Sequence, residues 1–418
     1  MTTPTRARSR PASVRSKGAR VLIIIQNLAV PFDRRVWLEC QCLRDAGYDV
    51  TVVCPRGEGS VPHTVLDGIE IYTYRPYAPG GSAAGFVAEY AYSFAATARL
   101  VMRARRNGGL FDVMQACNPP DIFWPLARLL RRRDGTRFVF DHHDLCPELY
   151  TSRFGEVATL PYRGLVLLER ATFRTADRVT STNESYAAVA RVRGGKAPEH
   201  VTVVRTGPDP ERLRKGDAEE SLRRGREHLV AYLGVMGPQD GVDLAVRAAA
   251  VIVNEMGRRD ISFTFMGAGD SYTELVALRD DLGLRDYVEL PGRVPDSYVC
   301  SVLSTADLGL CPDPKNALND VSTMNKTMEY MAFSLPVVAF DLRETRVSAE
   351  EAAVYVEPND VERYAEAVVA LIDHPELRAG MGRLGRERVE QELAWEHQQR
   401  GYLAVYDELV GATSNVRA

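Results

Sequence analysis

The chain has 418 residues, 45% of them hydrophobic and 26% charged, with a formal net charge of -4. Two to three domains of roughly 150 residues fit that length, and the balance is that of an ordinary globular protein. The small negative charge gives no overall signature of a nucleic-acid partner, and no apolar run reaches the roughly 18 residues needed to span a bilayer.

Residues 1–19 are rich in Arg, Ser and Pro, with no apolar core. They read as a disordered basic tail rather than a secretory signal, with a basic arm against anionic lipid as the second reading. Val21–Asn27 is an apolar strand ending in a turn; Trp37–Ala46 is helical, and Tyr48–Cys54 and Ile69–Tyr74 are further strands. Ala83–Arg106 is a long aromatic-rich helix with a basic end at Arg103, Arg105 and Arg106. Packing on a sheet is one reading of its apolar face; a membrane-facing or lipid-acceptor surface is the other. Short strands follow at Val113–Ala116, Phe138–Phe140, Arg178–Ser181 and Val201–Val204.

The turn-rich Thr206-Gly207-Pro208-Asp209-Pro210 marks a boundary, which divides the chain into 20–207 and 208–392. A second series of strands then opens at Leu229–Gly234 and continues with Ser262–Met266, Val288–Leu290, Leu308–Cys311, Pro336–Phe340 and Ala353–Val356. Residues 393–418 form a C-terminal helix and tail, the helix running from about Trp395 to Val410. Alternating strands and helices predict two parallel α/β sheets with helices on both faces. Ligands of such sheets lie beyond the carboxyl ends of the strands. Seven scattered cysteines without paired CxxC spacing read as buried reduced thiols of a cytoplasmic protein. Cys40 and Cys42, two apart on a helix, do not share a face and make a poor metal pair.

The stretch from Asn319 to Arg346, NDVSTMNKTMEYMAFSLPVVAFDLRETR, is the most informative. Ser322 is placed to cap a helix whose first turn holds Thr323 to Lys326. Unpaired amides there suit a phosphate. Lys326 adds charge, and Glu329 lies about one turn along. A phosphate cradle followed by a carboxylate that binds vicinal hydroxyls is what a nucleotide sugar requires. Leu335-Pro336 ends the helix, and Val337–Phe340 is a buried strand. A second dense segment, Asp141-His142-His143-Asp144-Leu145-Cys146-Pro147-Glu148, follows the strand RFVF, where ligands bind. Its paired histidines with Asp141 and Asp144 also admit a zinc reading.

KTMEYMAFSLPVVAFDLRE resembles the K-x-x-E-Y-M-A-x-G-x-P-V-V-A segment of glycosyltransferase family 4, and weaker segments recur in order from about Val21 to Leu409. The resemblance implies a GT-B fold: two Rossmann-like domains facing each other across a cleft, with the C-terminal helix crossing back to the first. It implies a retaining, metal-independent enzyme using a nucleotide-diphospho-sugar. By position His143 matches the histidine near the reacting carbon, and Glu329 the carboxylate that binds ribose. Met266-Gly267-Ala268-Gly269-Asp270 is similar to the family's G-x-G turn, and Leu290-Pro291-Gly292-Arg293-Val294 to the segment that edges the nucleobase, here through Arg293. The β1-side loop Asn27–Arg35 implies acceptor contacts from Asp33 and Arg34; Asn118 and Asp144 border the acceptor side.

The chain departs from the pattern twice. Val321 stands where the first glutamate of a Glu-x(7)-Glu pair belongs, and Asp320, ahead of Asp313 or Asn319, is the expected substitute sugar ligand. The diphosphate loop Gly234-Val235-Met236-Gly237-Pro238-Gln239-Asp240-Gly241 lacks the usual arginine and has Asp240 at the lysine position. Losing two charge-assisted hydrogen bonds of about 1.5–3 kcal/mol each calls for compensation, for which Arg205 and Lys326 are the candidates, with the amide of Asn325. The expected activity is transfer of a sugar from a nucleotide-diphospho-sugar to a hydroxyl or other nucleophile. A polysaccharide, glycolipid or small natural product would be the acceptor, with no divalent metal and no nucleic acid, and peripheral contact at the inner membrane surface stays open. A nucleotide-sugar epimerase and a non-catalytic sugar-nucleotide binder are the alternatives.

Overall fold

A computed structural model of the chain describes residues 18–77, 83–154, 159–208 and 213–417. The predicted basic tail up to residue 17, and Asp209 and Pro210 of the predicted boundary turn, lie outside those residues.

Fourteen strands fall into two sheets among the described residues. The first holds β1 (Arg20–Ile24), β2 (Asp49–Pro55), β3 (His63–Leu66), β4 (Ile69–Tyr74), β5 (Val113–Cys117), β6 (Arg137–His142), β7 (Arg178–Ser181) and β8 (Val201–Val203). Their order is β3-β4-β2-β1-β5-β6-β7-β8. β1 pairs in parallel with β2 and with β5, so the chain reverses its direction of winding between β1 and β5. The second holds β9 (His228–Leu233), β10 (Ile261–Met266), β11 (Val288–Gly292), β12 (Leu308–Cys311), β13 (Val337–Phe340) and β14 (Ala353–Val356), in the order β11-β10-β9-β12-β13-β14. All of its pairings are parallel. Sequence reading missed β3, which is antiparallel to β4. It has four residues and is mostly exposed, so it lacks the buried apolar run that reveals the others.

Alternate residues of one strand show why helices cover both faces of the second sheet. Val230 and Tyr232 of β9 and Val338 and Phe340 of β13 enter one apolar core. Leu229, Ala231 and Leu233, with Val337 and Ala339, enter another. A side-chain period of two sends neighbours to opposite faces, and burial of both makes the strand read as a continuous apolar run. Two buried tyrosines then satisfy backbone groups where these strands end. The Tyr330 hydroxyl accepts from the Leu233 amide at 2.8 Å and donates to the Leu310 carbonyl at 3.1 Å. Tyr364 accepts from the Cys311 amide at 3.1 Å and donates to the Val338 carbonyl at 2.6 Å.

Two compact units divide the chain. One comprises Met1–Ala116, Phe123–Val139 and Leu403–Ala418; the other comprises Cys117–Ile122 and Phe140–Tyr402. The last helix, Trp395–Arg417, therefore ends in the first unit, as predicted. There the Tyr48 hydroxyl donates to Asp407 at 2.6 Å and the Tyr406 hydroxyl donates to Gln115. Gln115 in turn donates to Glu39 at 2.7 Å, and Glu39 pairs with Arg35 at 3.0 Å. A buried polar chain of this kind is stable only when its members satisfy one another. Among the described residues no cysteine forms a disulfide, and no helix is long and apolar enough to cross a membrane.

Candidate active site

Strand β6 delivers Asp141 and His142 at its carboxyl end, and His143 follows immediately. Consecutive strand residues point to opposite faces, so the two histidines part company. His142 is fully buried among Phe140, Phe173 and Tyr186, with ring centroids 5.0–5.4 Å away. Burial, then the charges of Arg193 and His143, push its pKa down to about 3, so it is a neutral core residue. The zinc reading of the adjacent pair therefore fails: its two rings do not converge.

His143 instead sits against Asp141, its Nε2 hydrogen-bonded to Oδ2 of that fully buried carboxylate. The other Asp141 oxygen accepts from the Thr180 hydroxyl at 2.7 Å. The loop itself is held by Asn118, from the end of β5. Asn118 Oδ1 accepts from the His143 amide at 2.7 Å and the Asp144 amide at 3.1 Å, while Nδ2 donates to the Asp144 carbonyl at 2.7 Å. A carboxylate on one ring nitrogen fixes both tautomer and ring orientation. The His143 side chain keeps 12% of its surface exposed, against none for Asp141. Sequence reading singled out His143, Asn118 and Asp144 but missed the orienting role of Asp141 and Thr180; a carboxylate two residues before a histidine at a strand end was the available signal. Cys117, Asp141 and His143 also bring donor atoms within 4.8 Å of one another.

Beneath this loop lies an acidic cluster. Arg193 binds Glu148 at 2.5 and 3.0 Å and Glu169 at 2.5 and 2.6 Å. Asp121 is buried, and burial, then Glu169, raise its pKa to about 7. Glu148, the last residue of the dense motif, is thus tied to Arg193.

In the second sheet the predicted helix start needs correction. The helix runs Asn325–Ala332, two residues later than expected, and Met324 precedes it with no side-chain cap. Ser322 closes a short turn, Asn319–Val321, and its hydroxyl bonds the Leu318 carbonyl at 2.7 Å and Tyr186 at 2.8 Å. A serine that already has two buried-side partners has no reason to cap a later turn. The first-turn amides therefore belong to Asn325, Lys326 and Thr327, and the Thr327 amide is taken by the Met324 carbonyl. Glu329 is half-buried one turn on, as its apolar neighbours predicted.

Neither cation expected to replace the missing family arginine faces outward alone. Lys326 is buried, with its ammonium 2.7 and 2.9 Å from the Asp313 oxygens and over the Tyr232 ring at 5.3 Å. Burial opposes its charge, but Asp313 more than restores it, and the ammonium is held well above the usual lysine range. Arg205 lies 3.6 Å from Glu344 and donates to Ser348 at 3.3 Å. Asp240 closes its own loop by accepting from the Gly237 amide at 2.9 Å. Gly267, at φ +149°, comes so close to Gly234 that an added Cβ would lie 1.8 Å from the Gly234 carbonyl oxygen. The two loops at the ends of β9 and β10 can meet only through glycine. Arg293 is exposed at the end of β11.

The substitutions around residue 320 also have physical reasons. Val321 packs with Leu145, Tyr186 and Leu318 in a small apolar cluster. Its carbonyl accepts from Asn183 Nδ2 at 2.9 Å, and the same nitrogen reaches the Thr323 hydroxyl at 2.9 Å. The Asp320 carboxylate accepts from the Arg343 amide at 3.1 Å, at the start of helix Arg343–Ala349, and lies 3.7 Å from Lys315. Asp313 is taken by Lys326, and Asn319 donates to the Gln239 and Pro314 carbonyls. In the first unit, Asp33 is the N-cap of helix Arg34–Asp45, accepting from the Val36 amide at 3.0 Å, and Arg34 is exposed beside it.

Two parallel-sheet α/β halves with polar loops at their strand ends are the architecture of the GT-B fold, and comparison with known proteins makes the chain a glycosyltransferase. The model described as a glycosyl transferase 4-like domain matches residues 33–207, and that for glycosyl transferases group 1 matches residues 227–374. The chain belongs to glycosyltransferase family 4. It is 29% identical over 318 residues to a D-inositol 3-phosphate glycosyltransferase of Catenulispora acidiphila, covering 72% of this chain and 73% of that one. Sucrose-phosphate synthase from Thermosynechococcus elongatus superposes with a TM-score of 0.75 at 17% identity, covering 94% of this chain and all of that one. Anabaena HepE, solved with UDP-glucose, gives 0.68 at 14% identity, covering 93% and 99%. These structures share the fold.

Proposed function

We propose that this glycosyltransferase is retaining and metal-independent and draws on a nucleotide-diphospho-sugar. The observation that carries the reading is His143, oriented by the buried Asp141 and by Asn118 at the carboxyl edge of a parallel sheet. The donor lies at the carboxyl edge of the second sheet. There the Asn325 and Lys326 amides and the close-packed Gly237 and Gly267 loops accept the diphosphate, Glu329 binds the ribose hydroxyls, and Arg293 borders the base. Lys326 supports this site through Asp313, and Arg205 and Asp320 hold the loops and helix around it. Preorganised amides aimed at the leaving diphosphate stabilise the largest charge that develops. Retention without an evident nucleophile fits front-face displacement. The bond from the anomeric carbon to the phosphate oxygen breaks, the acceptor oxygen bonds to that carbon on the same face, and the acceptor proton leaves with the phosphate. His143 orients the sugar. Asp144, Asn118, Asp33 and Arg34 lie on acceptor-side loops.

The test is a panel of UDP-, GDP-, ADP- and dTDP-sugars, screened first by thermal shift and then by nucleotide release. A ligand at 100 times its Kd adds about 2.7 kcal/mol to stability. Slow release without acceptor, unchanged in EDTA, and an axial product from an axial donor are expected. Binding without any turnover would overturn the reading in favour of a non-catalytic binder.

A further inference from the structure

The first half of helix Ala83–Gly108 is apolar on its outer side. Between Ala83 and Ala98 the only charged residue is Glu89, and its carboxylate accepts from Gln26, just past β1, at 2.8 Å. Among the described side chains, those left to solvent are Val87 (70% exposed), Ala88, Ala91, Tyr92 (39%) and Ala95, spaced three and four apart along one face. The face does not stand alone. Tyr77, just past β4, is 42% exposed and meets Tyr92 at 5.7 Å between ring centroids. Just past β1, Leu28 and Phe32 are each about half exposed. Phe32 lies against Gly57, beyond β2, where its ring is 3.4 Å from the place a Cβ would occupy.

All of these residues belong to the first unit, and all lie by the carboxyl ends of β1, β2 and β4. That is the edge at which parallel sheets bind ligands, next to the winding reversal between β1 and β5. An apolar rim at this place needs an apolar occupant. The helix face itself carries no cation: its arginines begin at Arg99, and Arg105 is bound to Asp134 at 2.6 Å, while the exposed Arg34 and Arg75 stand beside Phe32 and Tyr77 at the strand ends. A helix lying on anionic lipid would carry cations along its own apolar face. We infer that this rim is an acceptor subsite, and that the acceptor carries an alkyl, prenyl or aryl group next to the hydroxyl that is glycosylated. This rests on the transferase reading and sharpens it, since an inositol phosphate, the substrate in the name of the Catenulispora relative, has no such group.

The experiment uses the full chain, the donor that shows slow nucleotide release, and three acceptors: glucose, n-octyl glucoside and phenyl glucoside. The glucosides should be used with a kcat/KM at least about tenfold above glucose. Val87→Gln and Tyr92→Gln, both exposed, should raise KM for the glucosides several-fold with kcat and acceptor-free donor release unchanged. Tyr77→Gln gives a second, independent variant if one of these folds poorly. Equal use of glucose and its glucosides, or variants without effect on KM, would overturn the proposal while leaving donor release, and with it the transferase reading, intact. Sedimentation with phosphatidylcholine–phosphatidylglycerol vesicles, lost in Val87→Gln with no acceptor preference, would assign the face to a membrane instead and overturn it equally.

Discussion

Two aspartates in this molecule each hold a base, and they do it to opposite ends. Asp141 grips His143 from below and leaves part of the ring at the surface, while Thr180 and Asn118 fix the carboxylate and the loop. Asp313 takes Lys326 entirely into the interior, under Tyr232 and beside Gly234. The first pair spends its order on aiming a group at solvent; the second uses its charges on each other and shapes a loop. Sequence spacing made Lys326 look like a cation for the diphosphate and Asp141 like one of several acids; the structure pairs the first with Asp313 and the second with His143.

The largest effect separates the pairs by activity. His143→Ala should lower turnover by about 10²-fold or more, beyond what is lost in stability by leaving the buried Asp141 carboxylate without its ring partner. Asp313→Asn should act chiefly on stability. Stranding a buried ammonium should cost about 3–5 kcal/mol in a denaturant titration, and the double variant Asp313→Asn/Lys326→Met should recover most of it. A double variant no more stable than the single one would mean that Lys326 is not held by Asp313.

Smaller effects sharpen the same contrast. His142 is neutral in the folded protein because its pKa is pushed down to about 3, whereas the unfolded chain binds a proton below about 6.5. Between those values the unfolded state carries more protons, so His142 lowers stability progressively as pH falls from about 6.5 toward 3. His142→Phe, in a pocket already lined by Phe140 and Phe173, should gain about 2 kcal/mol at pH 5 relative to its change at pH 8. Asp121 acts in the opposite sense: its pKa is raised to about 7, so its contribution weakens as pH rises from about 4 through 7. Comparing Asp121→Asn with His142→Phe across pH 4–8 separates the two slopes. The smallest expected change is Glu329→Ala, which should weaken donor binding about tenfold, or about 1.4 kcal/mol, without altering the fold; unchanged donor affinity would remove Glu329 from the site.

Much of the fold was legible because parallel strands buried on both faces read as apolar runs: β9, β10, β12, β13 and β14 were placed within a residue or two. The edge strand β3, short and exposed, carried no such signal. Of the candidate site, His143 and Glu329 were singled out through family resemblance, and Asn118 through its place at a strand end. What escaped was partnership over long sequence separations. Nothing near Ser322 announces that Tyr186 takes its hydroxyl, and nothing near Lys326 that Asp313, thirteen residues away, folds back onto it. Nor does Val321 disclose that Leu145 and Tyr186 supply the apolar cluster it fills. Asn183 was more readable, since a Ser-Thr-Asn run before a helix is a capping signal, and its spare amide reaches Val321 and Thr323.

The central claim is that an oriented His143 serves glycosyl transfer from a bound nucleotide sugar. Measuring donor Kd by titration and nucleotide release on the same samples of the wild type, His143→Ala and Asp141→Asn tests it directly. The account predicts a Kd within about twofold for all three, with release greatly slowed in the first variant and less in the second. Release at the wild-type rate from His143→Ala would contradict it.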